Sequence, residues 1–329
     1  MQNARISGIG AYAPDRRLDN AFFDDLLGEK VSPWLEENVE IFERRWCVEG
    51  QSTADLCQAA AVQALDRAGI QAEQLQLIIV ATDTPEYISP STASVLQHRL
   101  GANQAGTFDI NTACAGFVTA LDVGAKYIRA DKQYQHVLVV GGYAMSKYLN
   151  MADKKTVTLF ADGAGAVVLS ATADVDEGFQ VSQLLSQGQY HDYMGIYAGG
   201  AKAPTTCEVI EQGQHQLVFA KKFPKTLNAE MWSGMAQHLN QALDIEPAAV
   251  AKYFITQINI NSLRATMDIL GEPHDKAHTV MHQYGYTGSA CIPMALNDAW
   301  EKGLVKTGDL LYFIGSGGGL AFASAAFRL

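Results

Sequence analysis

The sequence predicts an α/β fold of two similar halves whose sheets are buried between layers of helices. Apolar, strand-like segments alternate with amphipathic helical segments through the first half of the 329-residue chain, and the alternation returns less regularly in the second half. Strands separated by helices of this length favour largely parallel sheets that helices cover on both faces. Two such halves, residues 1–172 and 173–329, predict a five-layered αβαβα body. The duplication is inferred from the order of elements alone, because the two halves show no sequence similarity that we can align.

The individual elements follow from local patterns. In the first half, short apolar runs predict strands at Arg5–Tyr12, Leu75–Thr82, Gly106–Ile110, His136–Gly141 and Val157–Ser170. Apolar side chains at three- and four-residue spacing predict helices at Thr53–Ala68, Ser91–Leu100 and Cys114–Ala130. In the second half we predict helices at Phe223–Ala242, Ser262–Leu270 and Ser289–Lys302, strands at Lys252–Ile258 and Thr279–His282, and a final hairpin from Asp309 to Leu329.

Composition and charge narrow the class of protein. A net charge of −11 argues against general binding to nucleic acid or to an anionic membrane surface. The N-terminal segment lacks the long apolar run of a signal peptide, and the chain has no run of 18 apolar residues that would predict a membrane span. We therefore expect a cytoplasmic protein. Five cysteines, an odd number with no Cys-x-x-Cys pair, predict neither a disulfide framework nor a metal site.

One cysteine lies at a position that suits a nucleophile. The segment Phe108–Phe117 has the pattern of a buried strand that runs through small residues into a helix, with Cys114 at the start of that helix. Unpaired backbone N–H groups and the helix dipole favour an anion there, so we expect the pKa of this thiol to be lowered. The alternative is a cysteine that only fills the core, which is our expectation for the other four.

Three glycine-rich segments interrupt the elements. They are Asp162–Ala166, Gly285–Ala290 and Gly315–Gly319. Each is compatible with a tight turn, or with a close approach of the backbone to a neighbouring element. None has the spacing of a phosphate-binding loop that leads into Gly-Lys-Ser/Thr.

Together these segments resemble the thiolase superfamily, and within it the β-ketoacyl-acyl-carrier-protein synthase III family, over nearly the whole chain. The residues that carry the resemblance are Trp34, Glu43-Arg44-Arg45, Pro90–Ala93, Thr112–Phe117, Phe160–Ala166, Ser289–Pro293 and Gly317-Gly318-Gly319. The resemblance implies a duplicated βαβαβ fold, a homodimer, and a cysteine that accepts an acyl group from coenzyme A or an acyl carrier protein. It places Cys114 as the nucleophile and the backbone N–H groups of Cys114 and Gly318 as the oxyanion hole. A glycine loop whose N–H groups point at a thioester oxygen suits that role.

Two positions depart from the family pattern. The synthases carry a His in a His-Gln-Ala-Asn segment and an Asn in a Gly-Asn-Thr segment, and these hydrogen-bond the malonyl thioester while it loses carbon dioxide. In this sequence Thr256 falls on the His position and Tyr286 on the Asn position. A slip of one residue would put Gln257 on the His position instead, but Thr256 keeps Gln257 and Asn259 in register with the family segment.

The substitutions favour acyl-enzyme formation over decarboxylative condensation. Thr and Tyr hydroxyls each donate one hydrogen bond, but neither is a cationic donor or a base near pH 7. His282, four residues before Tyr286 at the end of a predicted strand, is the candidate replacement base. The alternative is a histidine that only packs beside that strand.

Coenzyme A recognition is also only partly retained. The resemblance places Trp34 where the family stacks the adenine, but Asn38 replaces an expected Arg, and Lys154 replaces an Arg that helps to hold the nucleotide. A lysine is a point charge without the bidentate fork of arginine, so phosphate recognition should be weaker. An acyl carrier protein or a smaller thioester is therefore an alternative donor. We expect no tightly bound cofactor, because coenzyme A or phosphopantetheine enters as part of the substrate.

Three functional hypotheses follow. The leading one is an acyltransferase that forms an acyl-Cys114 enzyme and passes the acyl group to an acceptor, in fatty-acid or specialised-metabolite biosynthesis. The second is a decarboxylative Claisen condensation by a true β-ketoacyl synthase. The third is a non-catalytic partner subunit of a ketosynthase-like heterodimer, against which the retained Cys114 and Gly318 argue. The resemblance also implies that the strand Gly106–Ile110 pairs across the two-fold axis of a homodimer.

Overall fold

The computed structural model describes residues 2–329. Its strands are β1 (Asn3–Tyr12), β2 (Arg16–Asp19), β3 (Glu43–Trp46), β4 (Leu77–Ala81), β5 (Gly106–Ile110), β6 (His136–Ala144), β7 (Asp162–Thr172), β8 (Gly178–Ser186), β9 (Met194–Gly195), β10 (Val218–Phe219), β11 (Lys252–Ile255), β12 (Leu310–Gly317) and β13 (Ala321–Arg328). Its α-helices are α1 (Asn20–Leu27), α2 (Ser32–Asn38), α3 (Thr53–Ala68), α4 (Thr92–Leu100), α5 (Gly116–Ala130), α6 (Lys154–Val157), α7 (Cys207–Glu211), α8 (Leu227–Leu243), α9 (Ile260–Leu270), α10 (Met281–Tyr284) and α11 (Cys291–Glu301).

Two sheets repeat one strand order. The first sheet runs β1-β7-β6-β4-β5, and the second runs β8-β13-β12-β11. In both sheets the first strand of the half pairs with the last, and the last pairs with the one before it. Over residues 2–329, the second sheet has four strands where the first has five. Beyond β11, a single parallel bridge between Tyr253 and Ala277 stands in the place of a fifth strand. The repeat confirms the predicted duplicated α/β fold, but the sheets are mixed, because β7 is antiparallel to both β1 and β6.

Helices form three layers around the two sheets. Helices α5 and α11 contact strands of both sheets and therefore form the middle layer. Helix α3, with α4 beside it, covers the outer face of the first sheet, and α8 with α9 covers the outer face of the second. This arrangement is the predicted five-layered αβαβα body. The division of the chain at residue 172 stays a prediction; β7 ends at Thr172, and β8 begins at Gly178.

Small residues bring α3 close to the first sheet. Its buried face consists largely of alanines, among them Ala60 and Ala64. Opposite them on β1 are Gly8 and Gly10, and a Cβ added to Gly10 would lie 2.7 Å from the backbone nitrogen of Ala64. Only glycine on the strand and alanine on the helix allow the two backbones to pack at this distance.

One predicted strand begins too early, and another is absent. The segment predicted as Val157–Ser170 becomes a strand only at Asp162, because Asp153 caps the helical turn α6 through the backbone N–H of Lys155. The segment Thr279–His282 is not a strand. The side chain of Gln257 accepts a hydrogen bond from Val280 N at 2.8 Å and donates one to His278 O at 2.9 Å, so this backbone bonds to a side chain instead of a neighbouring strand.

Other predicted elements agree closely with the structure. Strand β5 and helix α3 have the predicted bounds, and the apolar face predicted for α5 is fully buried at Phe117, Leu121 and Ile128. Strand β8 has no counterpart among the predicted elements. Among residues 2–329, no helix combines the length and apolar character that a membrane crossing requires.

Candidate active site

The candidate nucleophile lies on a turn between the first sheet and the middle helical layer. Strand β5 ends at Ile110, a 3₁₀ turn spans Ala113–Ala115, and α5 begins at Gly116. Ala113 adopts a φ of 46°, an uncommon left-handed conformation for a residue with a side chain. The structure therefore presents Cys114 at the amino end of a buried helix, where the sequence pattern predicts it.

Strand β12 of the second sheet crosses directly over this turn. A Cβ added to Gly317 would collide with the carbonyl oxygen of Thr112 and lie 2.6 Å from the backbone nitrogen of Cys114. A Cβ added to Gly315 would lie 2.8 Å from the Cα of Ala115. The glycine-rich segment is therefore required because it packs against the nucleophile turn, and it brings backbone groups of both halves to the same place.

One cavity collects most of the predicted site residues. Cys114, Thr256, Tyr286 and Gly318 all line a cavity of about 350 Å³, and Trp34 also lines it. Cys114 is 2% exposed and Trp34 is 55% exposed, so the cavity runs from a buried thiol to the surface. The two halves of the chain contribute together, because Thr256, Tyr286 and Gly318 lie in the second half. The cavity thus has a buried nucleophile and an open end.

The pKa of Cys114 moves in the direction opposite to the predicted one. Burial raises the pKa of this thiol well above its usual value, and the nearby carboxylate of Asp83 raises it further. The side chain of Tyr286 lies within hydrogen-bonding reach of the thiol and lowers its pKa, but by less than burial raises it. The expected depression of this pKa is not found, because the desolvation of a thiol this deep in the core outweighs the hydrogen bonds that lower it. At rest, the sulfur carries its proton.

Thr256 lines the cavity, but its hydroxyl is already engaged. Its Oγ1 accepts a hydrogen bond from Ser316 N at 3.0 Å and lies 3.4 Å from Ser316 O, to which it donates. Gln257 points elsewhere, into the bonds with His278 and Val280 described above. The structure therefore places Thr256 rather than Gln257 against the cavity. The bond from Ser316 N holds the threonine hydroxyl against β12, and the contact with Ser316 O is too long for a strong hydrogen bond.

Tyr286 stands directly beside the nucleophile. Its ring packs edge-on against Phe160 at 5.2 Å between centroids, and its backbone nitrogen donates to Leu159 O at 2.8 Å. The residue is 2% exposed, and burial together with Cys114 raises the pKa of its hydroxyl well above the usual value. Tyr286 is therefore a neutral hydrogen-bond donor whose proton stays in place during a reaction near pH 7.

His282 does not reach the cavity. It lies on the helical turn α10 rather than at the end of a strand, and it is not among the residues that line the cavity. Its ring nitrogen Nε2 lies 2.9 Å from the side-chain nitrogen of Gln283. Burial and Lys302 lower its pKa, whereas the carboxylates of Asp298, Glu40 and Glu43 oppose that shift. The structure thus corrects the expected position of His282 and separates it from the thiol.

A prediction follows for His282. Because its ring faces charged side chains outside the cavity, His282→Gln should leave the rate of acyl transfer from Cys114 within about twofold of wild type, well below the 10²-fold or larger effect of removing a general base. Single-turnover transfer to an amine or alcohol acceptor measures this. A loss of 10²-fold with unchanged thermal stability would return the histidine to the mechanism.

Trp34 and Lys154 lie together at the mouth of the cavity. A neighbouring surface cavity of about 470 Å³ is lined by Trp34, Lys154 and Lys155, and it shares Trp34 and Leu159 with the catalytic cavity. Lys154 forms an ion pair with Glu29 at 3.1 Å. Asn38, at the position of the expected arginine, uses its side chain to donate to Trp34 O at 3.1 Å. The mouth of the cavity therefore combines an aromatic face with the ammonium groups of Lys154 and Lys155, of which Lys154 is paired with Glu29.

Several residues near the cavity were not predicted. Asn228 and Lys225 line it, and Ser316 hydrogen-bonds both Thr256 and Asn228. No local pattern distinguishes them, because they meet only when α8 packs against β12 of the second sheet. Asp83 could have been noticed, since it follows a buried strand at the carboxyl edge of the sheet, where ligands of α/β proteins bind.

Within residues 2–329, the acidic, histidine and cysteine side chains form no group of three or more that could hold a metal ion.

Comparisons with known proteins agree with this geometry. Residues 108–188 match the family model described as 3-oxoacyl-[acyl-carrier-protein (ACP)] synthase III, and residues 239–329 match the model of its C-terminal part. The β-ketoacyl-[acyl-carrier-protein] synthase III of Laribacter hongkongensis is 36% identical over 334 residues, with 99% of each chain covered. Its counterpart from Aliarcobacter butzleri is 35% identical over 335 residues and covers 100% of this chain and 98% of its own.

A solved structure extends the comparison. The crystal structure of 3-oxoacyl-[acyl-carrier-protein] synthase III from Aquifex aeolicus VF5 superposes with a TM-score of 0.89 at 28% identity, over 99% of this chain and 100% of that one. The fold and the buried cysteine at its centre define a thiolase-fold enzyme of the ketosynthase class. Within that class, the chain belongs to the β-ketoacyl-acyl-carrier-protein synthase III family.

Proposed function

We propose that this protein is an acyltransferase that moves an acyl group from an acyl-coenzyme A or acyl-carrier-protein thioester onto Cys114 and then to an acceptor. The observation that carries the proposal is the contrast between two parts of the cavity. The nucleophile turn and the glycine strand that crosses it are intact, whereas Thr256, at the position of a condensing donor, has its hydroxyl bonded to Ser316. Compared with the family pattern, the residues that load an acyl group are therefore better preserved than those that would activate a malonyl group.

Acylation needs little from other side chains. The Cys114 sulfur attacks the thioester carbonyl, the bond from that carbon to the donor sulfur breaks, and the thiol proton leaves with the departing thiol. The backbone N–H groups of Cys114 and Gly318 would stabilise the oxyanion that forms on the carbonyl oxygen. The Tyr286 hydroxyl, a neutral donor beside the sulfur, would stabilise the developing thiolate. No cofactor takes part, because coenzyme A or phosphopantetheine leaves as a product.

Donor recognition is assigned to the mouth of the cavity. Trp34 offers an aromatic face for an adenine, and Lys154 and Lys155 offer positive charge for phosphates. An acyl carrier protein would place its phosphopantetheine in the same channel. We propose a cytoplasmic enzyme of fatty-acid or specialised-metabolite biosynthesis, a role consistent with the names of its relatives.

A second candidate function is decarboxylative condensation. The observation in its favour is Tyr286, which stands beside Cys114 and can donate one hydrogen bond to an enolate. The relatives reported above are named β-ketoacyl synthases, and condensation is the reaction which that name describes.

Product analysis separates the two functions. With an acyl thioester, a malonyl thioester and an amine or alcohol, acyl transfer yields an ester or amide, whereas condensation yields a new ketone and carbon dioxide. Exclusive ketone formation would contradict the leading proposal.

We also propose a homodimer, in which β5 pairs with its copy across a two-fold axis. Strand β5 is an edge strand of the first sheet, and its residues are half-buried or exposed in the single chain. Unpaired edge strands are usually covered. Light scattering at micromolar concentration should therefore give the mass of two chains. A stable monomer would contradict the proposal, since an obligate interface of about 2,000 Å² or more does not dissociate under these conditions.

A further inference from the structure

A second, smaller cavity lies beside the nucleophile turn. It has a volume of about 230 Å³, and its lining includes Asp83, Ala113 and Gly318. Gly318 and Met194 line both this cavity and the catalytic one, and Ala113 precedes the nucleophile. We refer to it as the distal cavity. Asp83 lies near enough to Cys114 to raise the pKa of its thiol, so the far end of a short acyl group on Cys114 can reach this cavity.

The distal cavity contains a carboxylate with one oxygen that has no hydrogen-bond partner in the described chain. Asp83 follows β4 and is only half-buried as a residue, but its Oδ1 is shielded and has no hydrogen-bond partner among residues 2–329. Burial raises the pKa of Asp83 to about 6, opposed only by its own backbone N–H, with no cation contributing. The carboxylate is therefore mostly ionised at pH 7. A buried acceptor of this kind is costly unless a ligand or a partner satisfies it.

Other groups that line the distal cavity are polar too. Tyr143 is buried, and Asp83 and Cys114 both raise the pKa of its hydroxyl, so that hydroxyl lies near both. The Nδ1 atom of His191 lies 3.2 Å from Gly188 O and donates to it, which leaves Nε2 as an acceptor when the ring is neutral. Asn111 uses its Oδ1 to accept from Ala113 N at 3.1 Å. The cavity therefore suits a polar end of an acyl group better than a hydrocarbon one.

We propose that the distal cavity selects a short acyl group whose far end carries an ammonium group, and that Asp83 is its hydrogen-bond acceptor. This inference rests on the proposed acylation of Cys114. A site built to bond a polar group rejects the analogue that lacks it, because the buried acceptor is then left unpaired. The ammonium group would also offset the negative charge of Asp83 beside the nucleophile. Thioester exchange is otherwise unchanged: the acyl–sulfur bond to coenzyme A breaks, the bond to Cys114 forms, and the thiol proton leaves with coenzyme A.

Three isosteric probes test the proposal. β-Alanyl-, 3-hydroxypropionyl- and butyryl-coenzyme A have acyl groups with the same number of non-hydrogen atoms, which end in an ammonium, a hydroxyl and a methyl group. Each is offered alone to the wild-type protein, and the single-turnover rate of acyl-enzyme formation is followed by intact-protein mass. We expect β-alanyl to load about 10- to 100-fold faster than butyryl, as a charged hydrogen bond would give. 3-Hydroxypropionyl should lie between them.

Asp83→Asn keeps the shape of the side chain and removes its charge. In this variant the ratio of β-alanyl to butyryl loading should fall to about one, because β-alanyl loses its partner and butyryl no longer leaves a carboxylate unpaired. Asp83→Ser provides a second substitution with the same expected collapse of the ratio. The ratio of β-alanyl to butyryl loading in the wild-type protein is a test by itself. It therefore remains valid even if one of the two Asp83 variants fails to fold.

The possible outcomes separate the two proposals. Equal or faster loading of butyryl by the wild-type protein would overturn the role of Asp83 while supporting acylation of Cys114. A β-alanyl preference that persists in both variants would overturn it as well. Faster loading of 3-hydroxypropionyl than of β-alanyl would show that the cavity prefers a hydroxyl to an ammonium group, and it would overturn the proposed selectivity for charge. Absence of any adduct with all three thioesters would overturn the proposed function itself, and this inference with it.

Discussion

Gly317→Ala should lower the rate at which Cys114 accepts an acyl group by about 10²- to 10³-fold, the usual effect of losing an oxyanion-hole donor. The added methyl would lie 2.6 Å from the backbone nitrogen of Cys114 and collide with the carbonyl of Thr112. Both neighbours are backbone atoms, so the nucleophile turn itself must shift. We expect a concurrent loss of about 1–3 kcal/mol in the free energy of unfolding, as for other overpacked sites. Quenched-flow mass spectrometry and thermal melting measure the two effects.

Gly318→Ala is the comparison variant for this prediction, because it keeps the backbone N–H that the proposal places in the oxyanion hole. It adds the same methyl to the same strand end, but there the nearest atom is Met194 O at 3.5 Å, an ordinary contact distance. Its loading rate should fall far less than that of Gly317→Ala. Comparable loading by Gly317→Ala and wild type would show that the contact between β12 and the nucleophile turn does not matter for acylation.

The second large effect concerns the two positions that differ from the family. Thr256→His combined with Tyr286→Asn should raise the rate of malonyl-thioester decarboxylation by about 10²-fold or more, because two strong donors replace a threonine engaged with Ser316 and a tyrosine directed at the thiol. Carbon dioxide release is measured beside single-turnover acylation of Cys114. The double variant should be less stable, since Ser316 N loses its acceptor and the space beside Phe160 is partly emptied.

Tyr286→Phe is the informative control for the pair. It keeps the ring that packs on Phe160 and removes only the hydroxyl. If the leading function holds, this variant changes decarboxylation little, because the wild-type rate is already low. Fast wild-type decarboxylation that collapses in Tyr286→Phe would show that the tyrosine supports condensation, and the second candidate function would replace the first.

Local patterns were sufficient to predict the nucleophile turn. A buried strand, a run of small residues and an amphipathic helix are all visible within Phe108–Ala130, and the structure has β5, the 3₁₀ turn and α5 there. The repeated order of elements likewise predicted the layered fold. Both features depend on periodicity and on residue size over short stretches of chain.

Features that depend on distant contacts were missed. The segment Thr279–His282 has a strand-like composition, but Gln257, more than 20 residues earlier, takes its backbone hydrogen bonds. In the structure His282 lies on a helical turn and does not line the cavity. The direction of the Cys114 pKa shift was missed for a similar reason, because the thiol is buried and β12, from the distant second half, packs against its turn. The polar lining around Asp83 also forms only in the folded chain.

The most direct test of the account is intact-protein mass after incubation with a short acyl-coenzyme A. We expect a rise of one acyl unit in the wild-type protein, located on Cys114 by peptide mapping, and no rise in Cys114→Ala. Cys57→Ala and Cys291→Ala, at buried cysteines outside the cavity lining, should load normally. An adduct on Cys57 or Cys291, or no adduct with any thioester, would contradict the account, and the second result would favour a non-catalytic subunit.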